Sequence, residues 1–389
     1  MPSFSEYPLS TPAFVYDESR LLAMGRLLRQ AREQSGCRML YSIKALPFVP
    51  VLELLAPWMD GFAVSSLFEA RLAAPLGKPL HITTPGLRQG EIAEIGSLCG
   101  CLAFNSLEQF RRLEALAGAT ASLGLRINPG LSFLGDPRFD PCRTASKLGV
   151  PLEDLALALR QDESLRRKVK GLHFHTVFAS ASFAPLRETV GRIEQILGAA
   201  FLARLDWINL GGGYLFESLE DLAGLIETAL DLRQRFGLGV YFEPGKAVAG
   251  RAGYLCASVI DRFHRDDKTV VVLDSTVNHH PEIFEYQTRP EPGWVEPVNG
   301  EPAILAGCTC LAGDVFGEYR FETLPAVGDR LVFANVGAYS LIKANQFNGY
   351  NLPSIYIRDG KGTLHLTKQY GFEDYRSRWI ADEMNVSGL

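Results

Sequence analysis

Eight short β-rich runs, each followed by a turn residue or a helical pattern, fill residues 38 to 243 of this 389-residue chain and constrain its fold more than any other feature. The runs are RMLYSI (38–43), GFAVS (61–65), LHITT (80–84), CLAF (101–104), SLGLRI (122–127), GLHFH (171–175), DWINL (206–210) and GVYFE (239–243). Between them apolar residues recur at helical spacing over 66–74, 106–117, 152–160, 185–200 and 219–236. Before them, 18–34 carries Leu21, Leu22, Met24, Leu27, Leu28 and Ala31 on roughly one face. An open doubly wound sheet usually stops near about six strands. Eight β-then-α units over about 240 residues predict an α/β fold of the (β/α)8 TIM-barrel type instead.

Beyond residue 252 the pattern changes to successive extended runs, among them YLCASVIDRF, TVVVLDS, PAILAGC, RLVFANV, SIYIRDG and TLHLTKQ, with no long helix between them. Such a series predicts a separate C-terminal β-domain of sandwich or barrel-like type. The early extended run at 12–16 precedes the barrel and needs a partner strand, so it is assigned to that domain. The expected division is 18–252 for the barrel and 1–17 plus 253–389 for the β-domain.

A net charge of -5 without a basic stripe argues against nucleic acid as a partner and fits a small-molecule substrate. The start, MPSFSEYPLSTPAF, has no charged segment followed by a long apolar one, and no run approaches eighteen apolar residues, so a cytoplasmic protein without a membrane partner is expected. Seven dispersed cysteines suit a reducing compartment. Cys99 with Cys101, and Cys308 with Cys310, have one-residue spacers where zinc sites use about two to four, so no metal is expected.

A barrel of this kind presents its working groups at the C-terminal ends of its strands. Lys44 follows the first strand, Asn128 the fifth, Gly211, Gly212 and Gly213 the seventh, and Glu243, Gly245 and Lys246 the eighth, while His175 closes the sixth. Lys44 is flanked by apolar residues; a lysine in low dielectric favours the neutral amine that attacks carbonyls, although alone such a lysine more often snorkels to water. Three glycines allow close backbone approach to an anion, and with Gly245 and the cationic Lys246 they suit a phosphate better than a plain turn. Glu243 would aim an acid at whatever ring the phosphate tethers. Of His173 and His175, one is expected to face the barrel interior and the other the helices. An aldehyde-reactive lysine, a phosphate cradle and a ring-facing acid together describe a pyridoxal 5'-phosphate (PLP) site.

One stretch of the β-domain, GCTCLAGDVFGEY (307–319), packs two cysteines, two acids, three glycines and a tyrosine together. A metal loop, a strained structural loop and part of an active site are all open on composition, and the cysteine spacing disfavours the first.

Taken in order, YSIKA, GLRINPG, SKLGV, LHFH, LGGG, EPGK, GCTCLAGD and GAYS resemble the fold-type III PLP decarboxylases, the ornithine/diaminopimelate decarboxylase superfamily with an alanine racemase-like fold. The likeness covers roughly residues 10 to 353 and leans toward the carboxynorspermidine/carboxyspermidine decarboxylases through GFAVSSLFEARLA, TTPGL, FNSLEQF, CLAGDVFGEY and FNGYNLP. The resemblance implies that Lys44 bonds the cofactor, His175 stacks on its ring, Glu243 pairs with the ring nitrogen and Arg126 sits beside it. It further implies that Gly211, Gly212, Gly213, Gly245, Lys246 and Tyr339 hold the phosphate. Cys310 would return a proton after loss of carbon dioxide, delivered with the amine-binding Asp314 from the neighbouring subunit of a homodimer. Asp274, Glu282 and Tyr286 would complete the substrate end.

This chain also departs from that pattern. After HFHT it reads Val177-Phe178-Ala179 where the subfamily carries an acid, the second strand has Ala63 where the family often has Asp, and His279 and His280 occupy a run of usually smaller residues. Substrates beyond carboxynorspermidine and carboxyspermidine therefore stay open, namely a siderophore or natural-product precursor, diaminopimelate or ornithine. An amino-acid racemase and a catalytically inactive PLP-binding regulator are the readings outside decarboxylation.

Overall fold

A computed structural model describes residues 7–381. The chain divides into two compact units, Leu21–Ala249 and the chain ends Met1–Arg20 with Gly250–Leu389.

The first unit is a closed barrel of eight parallel strands: Arg38–Ser42, Gly61–Val64, Leu80–Thr84, Cys101–Phe104, Ser122–Asn128, Gly171–His173, Trp207–Asn209 and Gly239–Phe242. Each pairs with its sequence neighbour, and the eighth pairs with the first through Tyr241 to Arg38 and Phe242 to Met39, which closes the ring. Closure is possible because these segments are apolar on both faces: Leu40, Phe62, Leu102, Leu125, Leu172, Ile208 and Phe242 are all buried. Helices start where the sequence supplies caps. Ser66 accepts from Glu69 N–H and Ser106 from Gln109 N–H. Glu69 and Gln109 reach back to Ser65 N–H (2.6 Å) and Asn105 N–H (2.7 Å), so both helix starts carry two-way caps. The sixth and seventh strands end two and one residues short of the predicted runs, at His173 and Asn209, where the chain turns into loops.

The second unit is built on a mixed sheet with the thirteen-residue strand Gly253–Arg265 at its centre. The first half of that strand pairs antiparallel with Ala13–Asp17 and Arg330–Ala334; the second half, past an irregularity between Val259 and Asp261, pairs with Lys268–Leu273. Ala13–Asp17 pairs on its other side with Ser354–Arg358, in parallel, and Asp17 accepts from Arg358 Nη1 at 3.0 Å. Leu9, Ala13, Val15, Tyr254, Cys256, Ala334 and Tyr356 form one buried cluster beneath this half. Sequence periodicity missed the strand Val315–Phe321, which forms a hairpin with Glu301–Ala306. A register shift at Leu305/Ala306 and Gly317 (φ 140°) break its alternation, so Phe316 and Tyr319, three apart, are both buried. Among the described residues no helix is long and apolar enough to cross a membrane, and no group of three or more His, Cys, Asp or Glu is arranged to hold a metal.

Candidate active site

Lys44 is the middle residue of a 3-10 turn, Ile43–Ala45, that ends the first barrel strand. Ile43 and Ala45 are buried but Lys44 is exposed. The apolar enclosure expected of the lysine therefore belongs to its neighbours, and the amine itself reaches the strand-end face. Ser42 N–H donates to Pro244 O at 3.0 Å, tying this turn to the loop after the eighth strand.

Glu243 lies in that loop and is 7% exposed. Asn209 Nδ2 donates to Glu243 Oε1 at 2.8 Å, and His173 Nε2 stands 3.6 Å from the same oxygen. Burial alone would raise the carboxyl pKa; His173, Lys44 and the Asn209 amide outweigh it and hold Glu243 well below the usual carboxylate range. His173 is buried, and burial pushes its own pKa down despite the nearby carboxylate. His173, its own pKa lowered, therefore lends the anion less positive charge than a free imidazole would, and Lys44 and the Asn209 amide act on Glu243 alongside it.

His175 is half-buried, and its Nδ1 accepts from Gly212 N–H at 3.2 Å. Burial first, then the charges of Lys44 and Arg126, push its pKa down to about 3, so the ring is neutral at ordinary pH. His173 and His175 were expected on opposite faces, and this is corrected: both address groups inside the barrel, because residues two apart on an extended chain share a face. Arg126, on the fifth strand, is half-buried; burial lowers its pKa and the charge of Glu243 opposes that shift.

The glycine triplet needs to be glycine. Gly211 and Gly213 have φ of 66° and 90°, and a Cβ on Gly211, Gly212 or Gly213 would lie 2.2, 2.1 and 2.3 Å from the carbonyl oxygens of Phe174, Glu243 and Val177. Two of its three donors are already committed, Gly211 N–H to Asn209 Oδ1 (2.9 Å) and Gly212 N–H to His175 Nδ1. An anion here would meet Gly213 N–H and the backbone beyond it. Gly245 is buried, a Cβ there would lie 3.1 Å from Ala45 Cβ, and half-buried Lys246 opens the short helix Lys246–Ala249.

In the second unit the reactive stretch is a hairpin tip. Cys310 is exposed, with its N–H donated to Asn348 Oδ1 at 2.8 Å, whereas burial pushes the Cys308 thiol up to about 12. Asp314 is 3% exposed, and its carboxylate accepts from Val277 N–H (2.8 Å), Thr309 N–H (3.0 Å) and the Thr309 hydroxyl. Where an amine-binding task was expected of Asp314, its two oxygens are engaged by Val277 and Thr309, an arrangement that holds the loop. Asp274 likewise accepts from Ser258 N–H at 2.8 Å, and burial raises its pKa. His279 is fully buried with Nδ1 3.1 Å from Ser275 Oγ, and His280 Nδ1 lies 2.7 Å from Ser340 Oγ. Both are buried within the second unit. Glu282 is buried, and Tyr286 and Tyr339 are half-buried with the Lys343 ammonium 5.9 and 5.4 Å from their rings. Tyr339 has φ 61°, a strained value for a tyrosine that a packed surrounding must enforce.

Asn209 and His173 were missed as site residues, although both lie in runs read as strands and an Asn before a glycine triplet is a signal of a backbone-bonding side chain. Ala179 stands where an acid was expected, and Phe178, just before it, stacks on Phe139 of the loop after the fifth strand, with ring centroids 5.4 Å apart.

The chain is similar to known proteins over nearly its whole length. A sequence model of the family described as pyridoxal-dependent decarboxylase, C-terminal sheet domain, matches residues 13–337. The chain is 30% identical to a carboxynorspermidine/carboxyspermidine decarboxylase of Campylobacter jejuni, over 95% of this chain and 98% of that one. It is 34% identical to a carboxyaminopropylagmatine decarboxylase of Synechocystis, over 97% of each. The crystal structure of a Campylobacter jejuni carboxynorspermidine decarboxylase complexed with norspermidine superposes with a TM-score of 0.85 at 29% identity, covering 95% of this chain and 100% of that chain.

Proposed function

The chain belongs to the pyridoxal-dependent decarboxylases, and from that premise we propose that it removes the carboxylate from the amino-acid head of carboxynorspermidine or carboxyspermidine. It is a carboxy-lyase with PLP as its cofactor. The residues fit that group. The triplet is stripped of side chains by the carbonyl oxygens around it, the acid opposite is buried and ionised, and the lysine amine is accessible. Lys44 would bond the aldehyde, His175 would lie against the ring, Glu243 would face its nitrogen, and Arg126 would sit beside it. Gly213, Gly245 and Lys246 would hold the phosphate, with Gly211 and Gly212 shaping the loop. When bound, PLP supplies the sink for the electron pair left as carbon dioxide departs.

The protein's part is proton and charge control. The observation that carries the reading is the buried Glu243 carboxylate, kept ionised with Asn209 on its Oε1; it would hold a proton on the ring nitrogen. Neutral His175 offers an apolar face without competing for that proton. Cys310, exposed at a hairpin tip, returns a proton to the substrate carbon, in a homodimer whose second copy supplies the tip. Exposed Leu311, Phe284 and Phe347 around the tip support such self-association. All seven cysteines are unpaired, in keeping with a cytoplasmic setting.

A second reading has its own observation. With Ala179 in place of an acid and Phe178 beside it stacked on Phe139, a substrate tail held against aromatic faces would be accepted, as in a specialised precursor. A panel of carboxynorspermidine, carboxyspermidine, diaminopimelate, ornithine and an aryl-conjugated amino acid separates the two. The proposal requires the highest kcat/KM on the first pair; a preference for diaminopimelate, ornithine or the conjugate would overturn it.

A further inference from the structure

We infer that Asn209 is the positioning residue that fixes the direction of the Glu243 carboxylate and locks it to the glycine loop. The inference rests on the reading of this barrel as a PLP site and assigns a role that reading does not contain. Asn209 is 2% exposed at the end of the seventh strand. Its Oδ1 accepts from Gly211 N–H at 2.9 Å, and a backbone N–H can only donate, so the amide orientation is settled: the NH2 must point the other way. That NH2 meets Glu243 Oε1 at 2.8 Å. Glu243 N–H in turn donates to Gly211 O at 2.7 Å, so Asn209, Gly211 and Glu243 close a ring of three hydrogen bonds across two strand ends.

His173 does not share this work. At 3.6 Å its Nε2 is too far from Oε1 for a hydrogen bond, and neither of its ring nitrogens has a hydrogen-bond partner. Both neighbours of the carboxylate address Oε1, so Oε2 is taken by neither. An amide donor on one oxygen does two things at once. It donates more strongly to the ionised carboxylate than to the neutral acid, and it stops the carboxylate from rotating. The same side chain holds Gly211 N–H away from any anion, which leaves phosphate contacts to Gly213 and beyond. One residue thereby sets the spacing between the acid and the loop.

The variant Asn209→Asp tests this through a proton. At low pH the new carboxyl and Glu243 share one proton, so the acid form donates to Glu243 and accepts from Gly211 as the amide does. As pH rises the proton leaves, two anions face each other, and the ring opens. Lys44, Arg126, His173, His175 and His81 are the charged or titratable groups that feel Glu243, and they bear equally on the wild-type chain used as reference. The measurement is PLP release from the full-length loaded chain on serial dilution, followed by absorbance, with far-UV circular dichroism recorded alongside. The affinity ratio of Asn209→Asp to wild type should fall by about tenfold or more between roughly pH 5 and pH 9, and Asn209→Ala should bind weakly at both ends. A flat ratio, wild-type affinity in Asn209→Ala, or a barrel signal lost in Asn209→Asp at low pH would overturn the inference. A wild-type chain that takes up no PLP would instead sink the functional reading, and that arm is visible on its own.

Discussion

At the residue scale, Glu243 and Cys310 sit at opposite ends of the proposed chemistry and predict different failures. Glu243→Gln keeps the volume and the hydrogen bond geometry but removes the charge. It should lower kcat by about 10²–10³ while KM changes little, since the charge acts on the transition state and not on substrate binding. Steady-state kinetics with carboxynorspermidine checks this, and an equal rise in KM would contradict it. Cys310→Ala should leave PLP binding intact, slow turnover by about 10²–10⁴, and raise the fraction of misprotonated by-products seen by mass spectrometry. Lys44, Glu243 and the glycines were legible because a barrel dictates where strand ends go. Asn209 was not, because its meaning lies in two hydrogen bonds to groups that only folding brings near.

At the scale of elements, the hairpin tip shows how a loop can look chemically rich for structural reasons. Of its polar groups, Asp314 is consumed in bonds to Val277 and Thr309, and a Cβ on Gly307 would lie 2.1 Å from Asp314 Oδ1. Only Cys310 projects outward. Asp314→Ala should therefore destabilise the β-unit by about 1.5–3 kcal/mol per charged hydrogen bond lost, seen as a lower Tm, and reduce turnover through misplacement of Cys310. A variant with unchanged Tm and altered KM alone would restore the substrate-binding role. The sequence made the tip visible but hid the strand beyond it, since a register shift at Gly317 breaks the period of two on which strand reading depends.

At the scale of the whole molecule, several histidines are held neutral by burial, His81 and His279 with pKa values pushed down to about 4. Below about pH 6.5 the unfolded chain takes up protons that the folded chain refuses, so folding stability falls from there toward pH 4 by about 1.4 kcal/mol per pH unit for each such histidine. Glu243, with its depressed pKa, adds a further loss only at lower pH. Denaturant titrations at pH 7.5 and pH 5 should show the decline, and His279→Gln should shrink it. The eight barrel strands follow from the alternation of runs in the sequence; the order of strands in the second sheet, with Ala13–Asp17 between two distant strands, follows from topology that periodicity alone does not encode. The central claim is that Lys44 carries a PLP decarboxylation of a carboxylated polyamine. Carbon dioxide release from carboxynorspermidine, measured for wild type and Lys44→Ala under saturating PLP, tests it most directly. Release matched by norspermidine in the wild type and none in the variant is the predicted result, and equal release from both would contradict it.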